Sequence, residues 1–81
     1  MTPAIVELDL HGCTVYQAEL AIEAALKRAR SGTYRIRLIH GSNRGTALRD
    51  AIRKRYRSDP RILRLELGLN QGQTDLVLRE L

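Results

Sequence analysis

The sequence predicts an α+β fold: a two-layer sandwich of order βαβαββ, with two helices on one face of a mixed four-stranded sheet. Three observations predict it. Two alternating apolar runs, "AIVELDL" (4–10) and "YRIRLIHG" (34–41), are each followed by a segment with helical apolar spacing. Two further runs, "RILRLEL" (61–67) and "TDLVLREL" (74–81), flank the turn-rich "GLNQGQ" and read as a hairpin. No repeat or linker divides the 81 residues, so residues 1–81 are expected to form a single domain.

In the first run Ala4, Val6, Leu8 and Leu10 share one side, while Ile5, Glu7, Asp9 and then His11 share the other. Gly12 ends it. Thr14 with Gln17 three residues on is a capping-box signature. Ala18, Ala21, Ile22, Ala25, Leu26 and Ala29 form the apolar stripe, Lys27, Arg28 and Arg30 suit the negative end of the helix dipole, and Gly32 supplies the stop. In the second strand Tyr34, Ile36 and Leu38 point inward. The second helix runs from about Thr46 to Arg57 on Leu48, Ala51, Ile52 and Tyr56, with Arg49, Arg53, Lys54 and Arg57 outside, and "SDP" breaks it. Leu63, Leu65 and Leu67 share a face with Leu76 and Leu78. Glu7, Asp9, Arg35, Arg37, Arg64, Glu66, Asp75 and Arg79 populate the face the helices leave bare.

Charge narrows the class of function. Residues 27–64 hold 13 of the 14 Lys and Arg but only Asp50 and Asp59 of the nine acids; that segment is +11 and the rest of the chain −6. Such segregation is a polyanion footprint, with nucleic acid as the expected partner. No stretch is apolar enough to span a membrane and no leader pattern opens the chain, so the cytoplasm is the expected location. Cys13, the single cysteine, reads as a packing residue, and no CxxC or HExxH suggests zinc.

"DLHG" and "IHG" both end a strand and both enter the loop before a helix. If the first two strands are parallel neighbours, His11 and His40 meet at one sheet edge, where ligands of such folds collect. The loop "HGSNRGT" offers Gly41 and Gly45 for close backbone approach, with free N–H groups as a phosphate cradle and Arg44 and Arg49 as charged partners. Asp9 and His11 lie on one side of the strand, about 6–7 Å apart along the backbone, a separation that does not by itself promise a hydrogen bond. His11 can act as general acid or base, with Asp9 orienting it or holding a hydrated Mg²⁺. The residues alone leave a second reading open, an exposed acid beside a turn histidine. Three tyrosines make a poor stacking platform, so contacts are expected mainly to the phosphate backbone.

"LDLHG", a helix, and then "IRLIHGSNRGTALRDAI" resemble the Smr domain, named for small MutS-related proteins, over nearly the whole chain. The resemblance implies a compact βαβαββ domain similar to the C-terminal domain of a translation initiation factor. It also implies nucleic-acid binding, with endonuclease activity in several members; some nick DNA and others cleave messenger RNA at stalled ribosomes. Asp9 and His11 match the pair linked to cleavage, and His40, Gly41 and Gly45 the motif linked to substrate binding. Many members have HGxGxG where this chain has "HGSNRG", which puts Asn43 at the middle glycine. The expectation is therefore a small endonuclease acting on RNA in preference to DNA, with the ribosome as a candidate partner. Asp9 and His11 are its chemistry, and His40, Gly41, Ser42, Asn43, Arg44, Gly45, Arg49 and Arg53 its phosphate contacts. The alternative is a non-catalytic binding module using the basic 27–64 surface.

Overall fold

The computed structural model describes residues 3–41, 46–67 and 71–80. Its elements are β1 (Ile5–Asp9), α1 (Val15–Arg28), β2 (Arg35–Ile39), α2 (Ala47–Tyr56), β3 (Arg64–Leu67) and β4 (Gln73–Val77). The strands form one sheet in the order β1-β2-β4-β3. β1 and β2 are parallel, with Ile5 opposite Arg35 and Asp9 opposite Ile39. β4 is antiparallel to both β2 and β3. The mixed sheet and the closing hairpin are those the sequence predicts.

Helical periodicity fixes the packing. Ala18, Ile22, Ala25 and Leu26 of α1 and Ile52 and Tyr56 of α2 are buried against Leu10, Ile36, Leu38 and Leu76. Burying each of the larger side chains contributes about 1.5–3 kcal/mol. The Tyr56 hydroxyl donates to Glu23 Oε2 at 2.9 Å, and Arg61 grips Glu23 and Asp59, which ties α1 to the end of α2.

Four details differ from expectation. The first helix stops at Arg28, and Gly32 does not end it: Ala29 is already extended (φ −64°, ψ 133°). The chain must leave the helix there because Thr33, buried, donates its hydroxyl to the Pro3 carbonyl at 2.7 Å. Asp75 does lie on the bare face, yet it is only 2% exposed, since Arg35 and Arg37 fold over it. Its carboxyl resists the upward pull of burial and stays below the usual range because those two guanidinium groups bond to it. Arg79 lies beyond the end of β4 and caps the Thr33 carbonyl. Leu65, Leu76 and Leu78 join the core, whereas Leu67 on the edge strand and Leu63 just before it stay exposed.

Candidate functional site: a histidine turn beside an acid-free cleft

The site begins where β1 runs out. Leu10 N–H still pairs with the Ile39 carbonyl at 2.7 Å, and then Cys13 N–H donates back to the Leu10 carbonyl at 3.0 Å. His11 and Gly12 are the two centre residues of this turn. Gly12 has φ +78°, which the turn requires and a side chain resists. Because the chain curls here and does not stay extended, Asp9 and His11 come closer than strand spacing allows. His11 Nδ1 lies 2.6 Å from Asp9 Oδ1, and the His11 backbone N–H donates to the same oxygen at 3.2 Å. The strand-based expectation that these side chains need not bond is corrected by the turn.

The pair is directional. The two bonds from His11 hold the Asp9 carboxyl below its ordinary range, so Asp9 is an anion and only accepts. The shared proton then belongs to His11 Nδ1, so in the neutral ring Nε2 is the nitrogen that keeps its lone pair. The side chains of His11 and Asp9 are 73% and 61% exposed, and no further partner of that nitrogen occurs among the described residues.

His40 plays a different part. It is 5% exposed, with both ring nitrogens engaged: Nδ1 lies 3.1 Å from the Gly41 carbonyl and Nε2 2.9 Å from Thr74 Oγ1. A carbonyl only accepts, so Nδ1 carries the proton and the Thr74 hydroxyl donates to Nε2. Thr74 Oγ1 in turn accepts from Arg53 Nε at 3.0 Å. Burial pushes the His40 imidazole below its ordinary value of 6.5, and Arg53 and Arg49 push the same way against the Gly41 carbonyl. His40 is thus a neutral, internal residue at pH 7. The Gly41 N–H, expected to be free, is also spent: it and the His40 N–H both donate to the Gly72 carbonyl, at 3.0 and 2.9 Å. Gly41 has φ +80°, and a Cβ placed on it would stand 3.5 Å from His11 Cβ, so the two loops touch.

Between these loops and the start of α2 lies a cleft of about 560 Å³, lined by His11, Gly12, Cys13, Thr14, Val15, His40, Gly41, Ala47, Leu48 and Arg49. No carboxylate lines it among the described residues. Its floor is held by the Thr14 capping box, in which Thr14 Oγ1 accepts from Gln17 N–H and Gln17 Oε1 accepts from Thr14 N–H. Arg49, half-buried at the rim, bonds the neighbouring Asp50 at 3.1 Å. Arg53 is half-buried one turn further on and makes no ion pair among the described residues; burial lowers its pKa, and Arg49 adds to that. Nor does any group of three metal-ligating side chains converge among the described residues.

The structure therefore brings Asp9, His11, His40, Gly41 and Arg49 to one sheet edge, with Arg53 beside them through Thr74. Ser42, Asn43, Arg44 and Gly45, also expected at this site, lie outside the described residues. Sequence reasoning missed Thr74 and Gly72. Thr74 left a signal: in "TDLVL" it takes the inward position otherwise held by Leu76 and Leu78, and a polar residue there must find a partner. Gly72 acts through its carbonyl, and its residue type gives no sign of that.

The model of the Smr domain family matches residues 8–75. Over 57 residues the chain is 47% identical to a Thermus thermophilus protein named endonuclease MutS2. That alignment covers 69% of this chain but 8% of the relative's length. The crystal structure of the Smr domain of Thermus thermophilus MutS2 superposes with a TM-score of 0.82 at 38% identity, covering 93% of this chain and 99% of that one. With the motif, the fold and the family match in agreement, the chain belongs to the Smr domain family.

Proposed function

We propose that this domain binds nucleic acid at the cleft and cleaves it as a small endonuclease, with RNA preferred to DNA, in the cytoplasm. The observation that carries the reading is the 2.6 Å Asp9–His11 contact, which leaves Nε2 as an available base on a residue lining an acid-free cleft. The likeness to a protein named as an endonuclease supports it. In this reading His11 Nε2 takes the proton of a ribose 2′-OH as that oxygen attacks the adjacent phosphorus. The 5′ oxygen leaves with a proton from solvent, giving a cyclic phosphate and a free 5′-OH. Asp9 stabilises the imidazolium as it forms, and Arg49 the charge on the phosphoryl oxygens. His40 contributes by pinning the Gly41 carbonyl, not by touching phosphate.

A non-catalytic binding module is the second reading. The observation in its favour is the exposure of Asp9 and His11, which leaves the pair open to water. The test is cleavage of end-labelled RNA and DNA by the wild type and the Asp9→Ala/His11→Ala variant, with Mg²⁺ and with EDTA, and with binding recorded in the same samples. Cleavage lost in a folded variant that still binds is the expected result. Equal binding with no new strand ends from either protein overturns the nuclease and leaves the module.

A further inference from the structure

Helix α2 and its C-cap residue place Arg49, Arg53 and Arg57 at intervals of four residues, a stripe about 12 Å long that starts at the cleft. Neither Arg53 nor Arg57 makes an ion pair among the described residues, although most other arginines of the chain do. The stripe leans toward the hairpin, because Arg53 Nε rests on Thr74 of β4. Opposite Thr74 across the β3–β4 register is Leu67, so its side chain emerges on the same face of the sheet. Leu65 shares that face, and Leu63, at the bend just before β3, donates its N–H to the Val77 carbonyl at 2.7 Å. Leu63 and Leu67, 54% and 65% exposed, flank the edge strand about 13 Å apart along the chain. A cationic wall and an apolar floor of equal length therefore meet at Thr74.

We propose that this trough is a track for single-stranded nucleic acid leading away from the cleft, with phosphates on Arg49, Arg53 and Arg57 and unpaired bases against Leu63 and Leu67. The inference rests on the nucleic-acid reading above and adds where the strand lies and why it is single. A duplex keeps its base faces stacked inside and offers the leucines only sugar and phosphate. A second copy of this chain would bring its own unpaired guanidinium groups to the same place, against a net charge of +5. A strand of phosphates and exposed bases satisfies wall and floor together.

The test is fluorescence anisotropy with labelled uridine oligomers of about three and about ten nucleotides, and a duplex of the longer length. The proteins are the wild type, Arg57→Ala, Leu67→Ser and the double variant, with circular dichroism confirming the fold. The longer strand should bind the double variant about tenfold more weakly than the wild type, and the short one should bind all four alike. For the longer strand, Arg57→Ala should flatten the slope of log K against log salt by about 0.7, one phosphate contact. Wild-type affinity of both single variants for the longer strand overturns the track alone. So does a duplex that binds as tightly with the same response to substitution, or a self-association of the free protein that Leu67→Ser abolishes. If the wild type binds no oligomer even at low salt, the nucleic-acid reading falls first and the track with it.

Discussion

His11 takes its geometry from one glycine. The turn at Leu10–Cys13 bends the chain back far enough for a residue at i+2 to reach the carboxylate at i, and Gly12 at φ +78° makes that bend. A Cβ at Gly12 would meet nothing within 4 Å, so Gly12→Ala tests backbone strain without a clash. It should lower stability by about 1–2 kcal/mol, measured by urea unfolding, and weaken the Asp9–His11 contact with it. A loss well under that range means that the turn relaxes and that glycine is not what holds the pair. The residue types at the site were legible because "DLHG" and "IHG" each end an alternating run. Their roles were not. Alternation places side chains on a face but says nothing of where a strand stops, and His40 and His11 look alike in sequence while only one is exposed.

At the scale of elements, helix and strand patterns were readable wherever a two- or 3.6-residue period met a hydrophobic core. They failed where polar contacts set the boundary. The end of α1 is placed by Thr33 reaching Pro3 and not by Gly32. The join between the helices depends on Arg61, which holds the nearby Asp59 and reaches Glu23, 38 residues away in the chain. Bonding to Arg61 holds the Asp59 carboxyl at about 2, below its ordinary 3.8. In the interval between those values the unfolded chain binds more protons than the folded one, so the contribution to stability is full above about pH 4 and is lost as pH falls through about 2. Asp59→Asn should therefore lower stability at neutral pH and flatten part of the acid limb of a thermal-unfolding series. An acid limb unchanged in the variant would show that this contact does not couple folding to protons.

Across the whole molecule, the sequence's segregated charge proves to be partly an internal affair. Arg35, Arg37, Arg55, Arg61 and Arg64 are drawn into ion pairs, chiefly with acids from outside the basic segment. The +11 count therefore overstates the surface a polyanion meets. Among the described residues, Arg53 and Arg57, which follow Arg49 away from the cleft, make no ion pair, and neither do Lys27, Arg28 and Arg30 around the end of α1; the bare sheet face is closed by its own arginine–carboxylate network. Net charge makes a polyanion the expected partner; the fold separates the arginines held in ion pairs from those that are not.

In the proposed function Asp9 sets His11 as a base with Nε2 available to the cleft. The most direct test is the single-turnover cleavage rate of Asp9→Asn beside the wild type on end-labelled single-stranded RNA. Asparagine keeps the shape but removes the anion that fixes the tautomer. The expected rate is lower by on the order of 10²–10⁴, with affinity for the RNA unchanged. Cleavage at the wild-type rate would contradict it.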